Sequence, residues 1–180
     1  VTQTSALKSA SITNLDSTPI QPVDIGEGVG GFLRTVNDYV TALAADAISS
    51  TYRLVRFPTN AKVKHIVIFS AAGTNGAADC DVAYSDSTTD GTSIANQGSI
   101  VQVSSADNQL FGAAQTLVTT ATAGVDQTFA GTYTQAYSNQ PMWEVLGLTS
   151  DPGGRFDIVL KVTTALTSGG IIGCKLDYVV

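Results

Sequence analysis

The strongest constraint on this chain is a two-residue alternation of apolar and polar side chains in its last third. In Arg155–Thr164, Phe156, Ile158, Leu160 and Val162 alternate with Asp157, Lys161 and Thr163. In Ile171–Val180, Ile172, Cys174, Leu176 and Tyr178 alternate with Lys175 and Asp177. Successive side chains of a strand point to opposite faces, so this period predicts strands with one buried and one wet face. Ala78–Ser85 has the same form, with Ala78, Cys80, Val82 and Tyr84 against Asp79, Asp81 and Ser85. Lys62–Ser70 adds a β-branched run through Val63, Ile66, Val67 and Ile68. Thr51–Phe57 reads as a strand halted by Pro58, and Ser99–Val103 as a short one.

Elsewhere the period changes. Phe32–Ile48 fits either helix or strand. Asp107–Val118 carries Leu110, Phe111, Ala114, Leu117 and Val118 at helical spacing after Ser104 and Ser105, which predicts one short helix. Gly124–Gln135, rich in Thr, returns to β, and Pro141–Leu148 predicts one or two helical turns. Residues 1–31 show no sustained period, carry Pro19 and Pro22, and end in a Gly-rich stretch, so they read as an extended N-terminal arm. The fold class expected is mainly all-β: an antiparallel β-sandwich or jelly-roll-like body over residues 32–180, with one or two short helices.

Charge removes several function classes. Asp+Glu number 15 against Lys+Arg 9, a net charge of -6, and no basic run is present. Phosphate binding needs clustered Lys and Arg, so no nucleic-acid partner is expected. No apolar stretch reaches the roughly 20 residues that span a bilayer, and Val1–Ala6 lacks the apolar core of a signal peptide. The expectation is a cytoplasmic product with no membrane partner. Cys80 and Cys174 fall on the apolar side of their strands, where a free thiol packs as a small hydrophobe. The alternative is a cross-strand disulfide, which a reducing compartment disfavours.

Candidate chemistry is thin. Gly26–Gly31 matches G-x-G-x-x-G, but no strand–helix–strand context surrounds it, so a flexible joint is the simpler reading. His65 is the only histidine and sits in an apolar run. Asp79 and Asp81 share one side of a strand. Such a pair can hold a divalent cation or act as paired acids, but a cation needs more oxygen ligands and acid–base work needs a tuned pocket. The wet face of a strand accounts for both. No catalytic, cofactor or metal residue is assigned, and a non-enzyme is expected. Tyr133, Tyr137 and Trp143 form a loose aromatic group that suits a sugar platform or an interface anchor, with core packing the default for Trp143.

Two stretches carry a likeness. Ser50–Val63 (STYRLVRFPTNAKV) and Pro141–Leu148 (PMWEVLGL), followed by Asp151-Pro152 and Phe156-Asp157, resemble recurring stretches of small virion proteins of tailed bacteriophages. The likeness covers roughly residues 50–180 except Ser85–Val125, which departs from it, with Ile25–Gly31 a further partial match. Resemblance to capsid decoration (cement) proteins implies a β-sandwich bound to the capsid exterior. It further implies the major capsid protein as partner, a dimeric or trimeric homo-oligomer, and no cofactor. Pro19, Pro22, Ile25, Phe32, Tyr133, Tyr137 and Trp143 are the candidate interface residues. A virion adhesion module binding host glycan, and a tail or neck component, are the alternatives.

Overall fold

A computed structural model describes residues 32–44, 46–70, 76–84, 109–117 and 124–180. The predicted arm 1–31, with Pro19, Pro22, Ile25 and the Gly-rich stretch, lies outside the described residues, as does the predicted strand at Ser99–Val103. Among the described residues there are eight strands: β1 Leu33–Ala42, β2 Thr51–Pro58, β3 Lys62–Ser70, β4 Gly76–Tyr84, β5 Gly112–Leu117, β6 Val125–Asp126, β7 Arg155–Thr164 and β8 Gly170–Val179. A 3-10 turn spans Gln135–Asn139, and a one-turn helix, α1, spans Met142–Val145.

The strands form two four-stranded sheets in the orders β1-β8-β3-β6 (sheet A) and β2-β7-β4-β5 (sheet B), with every named pair antiparallel. The first strand pairs the last, β2 pairs β7, β3 pairs β6, and β4 pairs β5. The pairs thus nest as a two-stranded ribbon, β1 to β4 against β8 to β5, and successive pairs alternate between the two sheets. Between the sheets lie Phe57, Val63, Ile66, Phe156, Ile158, Leu160, Ile172 and Leu176, each at most 1% exposed. These are the apolar members of the alternating patterns.

Bulges adjust that alternation. A register shift between Arg53 and Val55 lets consecutive Leu54 and Val55 both reach the core. A second, between Val63 and His65, changes the parity of β3: Val63 points in, and then Ile66, Ile68 and Ser70, which leaves His65, Val67 and Phe69 outside.

Three expectations are corrected. The helix expected over Asp107–Val118 is instead strand β5 at Gly112–Leu117, paired with β4. Its Gly and Ala residues have little side chain to set a helical face, and the open edge of β4 takes their backbone groups instead. Gly124–Gln135 is strand only at Val125–Asp126. Beyond it, the Gln127 amide donates to Ile66 O at 2.8 Å and the Ile66 amide to Thr128 Oγ1 at 3.0 Å, so a turn continues the edge by side-chain bonding. The wet face expected for sheet B is largely covered: Asp79, Asp81, Asp157 and Val159 are 7%, 2%, 3% and 0% exposed. One cause is visible at Asp81, whose Oδ1 accepts the Leu110 amide at 2.8 Å and ties that segment over β4. The ambiguity at Phe32–Ile48 resolves as strand β1.

Helix α1 forms where expected. Pro141 precedes it with extended backbone, and its leading amides are satisfied from outside: Met142 donates to Ala61 O at 2.9 Å and Trp143 to Thr59 O at 3.1 Å. Met142, Val145 and Leu146 are buried, so the turn closes one end of the core.

Candidate functional site

The outer face of sheet A carries an open, partly apolar surface. β1 is exposed at seven of its ten positions. Tyr39 is 62% and Ile171 49% exposed on this face, with Phe69 half-buried beside them. Gly173 lies between Tyr39 and Phe69 in the ladder. A Cβ added there would meet Asp38 O at 3.3 Å and Tyr39 Cβ at 3.5 Å. The missing side chain leaves a trough of about 450 Å³, bordered by Asn37, Tyr39, Phe69 and Lys175.

Further along the same face the strands bring charge together. Asp177 Oδ1 accepts Thr35 Oγ1 at 2.6 Å, and its Oδ2 lies 3.2 Å from Lys175 Nζ and 3.4 Å from His65 Nδ1. His65 Nε2 is 3.5 Å from Asp126 Oδ2, so the imidazole bridges two carboxylates. Burial acts to raise the Asp177 carboxyl, but bonds from Thr35, Lys175 and His65 outweigh it and hold the group below its usual range. Asp126 is likewise lowered, with burial opposed by side-chain and backbone bonds from Thr128 and by His65. Depressed carboxyls stabilise the fold fully above the unfolded value near pH 4, and that contribution is lost as pH falls through the folded values. The expected result is a melting temperature insensitive to these groups between pH 7 and about 5 and declining below about 4. Thermal melts of the wild type and Asp177→Asn check it, with a shallower acid decline in the variant.

On sheet B, Asp157 is clamped by two guanidiniums. Arg53 Nε bonds its Oδ2 at 2.6 Å, Arg56 Nε its Oδ1 at 2.7 Å, and Arg56 Nη2 its Oδ2 at 3.1 Å. These residues and Asp38 border an open cleft along the β1 and β2 edges.

The residues singled out from the sequence do not converge. Phe32 is 80% exposed and Tyr137 36%. Tyr133 is corrected from candidate interface residue to core residue: it is 1% exposed, its hydroxyl donates to Val63 O at 2.8 Å, and its ring lies 4.8 Å from that of Phe111. Trp143 is half-buried against the core, as its default reading had it. Asp46 accepts the Leu43 amide at 3.0 Å and the Tyr52 hydroxyl at 2.6 Å. Cys80 and Cys174 are free and buried; burial raises both thiols, Cys174 to about 12, which disfavours thiolate chemistry. Among the described residues, no group of three or more His, Cys, Asp and Glu could hold a metal ion, and no helix is long and apolar enough to cross a membrane. The Tyr39–Gly173–Phe69 trough and the His65 bridge were missed in the sequence. The β3 bulge hides their parity, and nothing local pairs β1 with β8.

No protein-family model matches the chain, and no curated protein matches it. Among solved structures, a chain described as part of the cyanophage Pam1 capsid asymmetric unit is similar, with a TM-score of 0.47 and 10% identity. The alignment covers 92% of this chain and 96% of that chain.

Proposed function

We propose that this chain is a non-catalytic structural component of a tailed-phage virion. In this reading it is a decoration protein that binds the outer surface of the head and bridges major capsid protein subunits. The observation that carries the reading is the open apolar surface around Gly173, displayed on a body whose two sheets are held by a continuous core. An exposed apolar patch of this kind marks a surface meant for another macromolecule. The rolled strand order supports it, since we read the ribbon as a jelly roll, an architecture that viral capsid domains use. The Ser50–Val63 and Pro141–Leu148 likeness supports it independently. Many such bodies repeated over one shell turn modest single contacts into strong attachment. The glycan reading loses its platform, because Tyr133 is committed to the core and Trp143 is half-buried against it.

The test is addition of purified protein to heads that lack it, followed by co-sedimentation and heat challenge. Wild type is expected to bind in copy numbers comparable with the major capsid protein and to raise shell heat resistance. Ile171→Asp, at an exposed position, is expected to weaken binding at least tenfold, with its circular dichroism unchanged. No binding by folded wild type would refute the reading, and low, symmetry-limited copy numbers would point to a neck or tail position.

A further inference from the structure

β1 is the outer strand of sheet A, paired with β8 along its length and, among the described residues, without a ladder partner on its other side. The Tyr39 amide donates to Asp38 Oδ1 at 2.8 Å rather than into the β8 ladder. Backbone groups alternate along a strand, so the odd-numbered residues of β1 present their N–H and C=O groups to the open edge. A ten-residue exposed edge of this kind is a template for another strand, which proteins normally blunt with a proline, a bulge or an inward charge. β1 has no proline, and its pairing with β8 runs without a register shift; its two charges of inward parity, Arg34 and Asp38, are of opposite sign.

The sequence of this edge is its own complement. Set antiparallel to a second copy about Val36, Arg34 of one copy faces Asp38 of the other, and by symmetry the pair occurs twice. Thr35 faces Asn37, and Leu33, 64% exposed, faces Tyr39, 62% exposed. The backbone parity agrees. Thr35 and Asn37, and Leu33 and Tyr39, are both odd-numbered, so they fall at hydrogen-bonded pairs. Arg34 with Asp38, and Val36 with itself, fall at non-hydrogen-bonded pairs, where side chains approach most closely. A shift of two residues along the partner opposes Arg34 to Val36 or to Val40 and loses both charge pairs. Arg34 is exposed, and Asp38 is exposed beside the edge-facing Tyr39 amide.

We propose that a second copy of this chain pairs along β1 in this register, joining two A sheets into one continuous antiparallel sheet about a two-fold axis at Val36. This is an isologous contact, in which the same patch serves both copies. Asp38 exchanges its bond to the Tyr39 amide for Arg34 of the other copy, and the freed amide enters the new ladder. The two outer faces then lie side by side, so the troughs at Gly173 become a single two-fold-related surface. The pairing does not depend on the virion assignment.

The experiment is sedimentation velocity on the full chain with four variants. Wild type is expected to be dimeric at micromolar concentration. Asn37→Pro removes only an edge-facing N–H and leaves the β8 ladder intact, and Asp38→Arg opposes like charges at both pairs. Each is expected to raise the dimer dissociation constant at least tenfold with unchanged circular dichroism. The double swap Arg34→Asp with Asp38→Arg is expected to restore the dimer. Val36→Cys is expected to cross-link to itself on mild oxidation, since Cα atoms at a non-hydrogen-bonded pair lie about 4.5 Å apart, within disulfide reach. A monomeric wild type overturns the pairing. So does an oligomer that survives both Asn37→Pro and Asp38→Arg, or one in which Val36→Cys does not cross-link.

Discussion

Tyr133→Ala is expected to lower the unfolding free energy by about 3–5 kcal/mol, the range for deleting a fully buried aromatic ring. The ring contacts Phe111 at 4.8 Å and stacks at 6.1 Å with Phe129, so its loss opens a cavity beneath the 3-10 turn. Tyr133→Phe separates the hydroxyl from the ring. Val63 O then loses its donor at the β3 bulge, which is expected to cost about 1–2 kcal/mol. Urea denaturation with linear extrapolation measures both. If Tyr133→Ala shifts the midpoint no more than a surface substitution, the ring is not a packing element, and its role as a glycan platform has to be reconsidered.

Asp157→Ala is the second large effect expected. The carboxylate is 3% exposed and accepts from Arg53 and Arg56 at 2.6–3.1 Å. Removing one member of a buried pair costs about 3–5 kcal/mol when the charges left behind are also buried. Here the guanidinium side chains are 31% and 46% exposed and keep access to water. The expected loss is therefore smaller, about 2–3 kcal/mol. Asp157→Asn keeps the volume and some hydrogen bonding and is expected to lose less. Equal effects of Ala and Asn would assign the whole contribution to charge.

The parts of the fold legible in the sequence are those where local period and tertiary environment agree. β7 lies at Arg155–Thr164, where the alternation predicts it, and β8 at Gly170–Val179, one residue from its expected bounds. Both are central strands, and their inward residues have no option but the core. β5 was not legible, because Leu110, Phe111, Ala114 and Leu117 fall at helical spacing, while the state of Gly112–Leu117 is set by the neighbouring edge of β4. The aspartates of sheet B were misread for a related reason. Alternation tells which side a residue takes, but not whether another segment later covers that side, as Leu110 does at Asp81.

The candidate site was less legible than the fold. Tyr133 and Trp143 stood out as large aromatics, yet bulk alone favours burial as much as recognition. The exposed residues Tyr39 and Ile171 sit far apart in sequence and meet only because the first strand pairs the last. The phage-like stretches have a structural explanation. Thr59 Oγ1 bonds Asp151 Oδ1 at 2.6 Å, the Met142 amide bonds Ala61 O, and Arg53 and Arg56 bond Asp157. Residues quoted from separate segments for the likeness are those that lock one end of the sandwich together.

The strand order places β8 inside sheet A, next to β1, and β7 inside sheet B, next to β2. A nascent chain on the ribosome therefore holds β1 and β2 without the strands they bond to until Arg155–Val179 has been made. Neither sheet can be assembled in the order of synthesis, and contacts between distant segments of this kind make folding slow. Until the closing strands arrive, the earlier ones expose unpaired edges that invite association with other chains. The stretch encoding Arg155–Val179 thus acts as the keystone of both halves, and a stop codon within it is expected to leave aggregate rather than a smaller folded product.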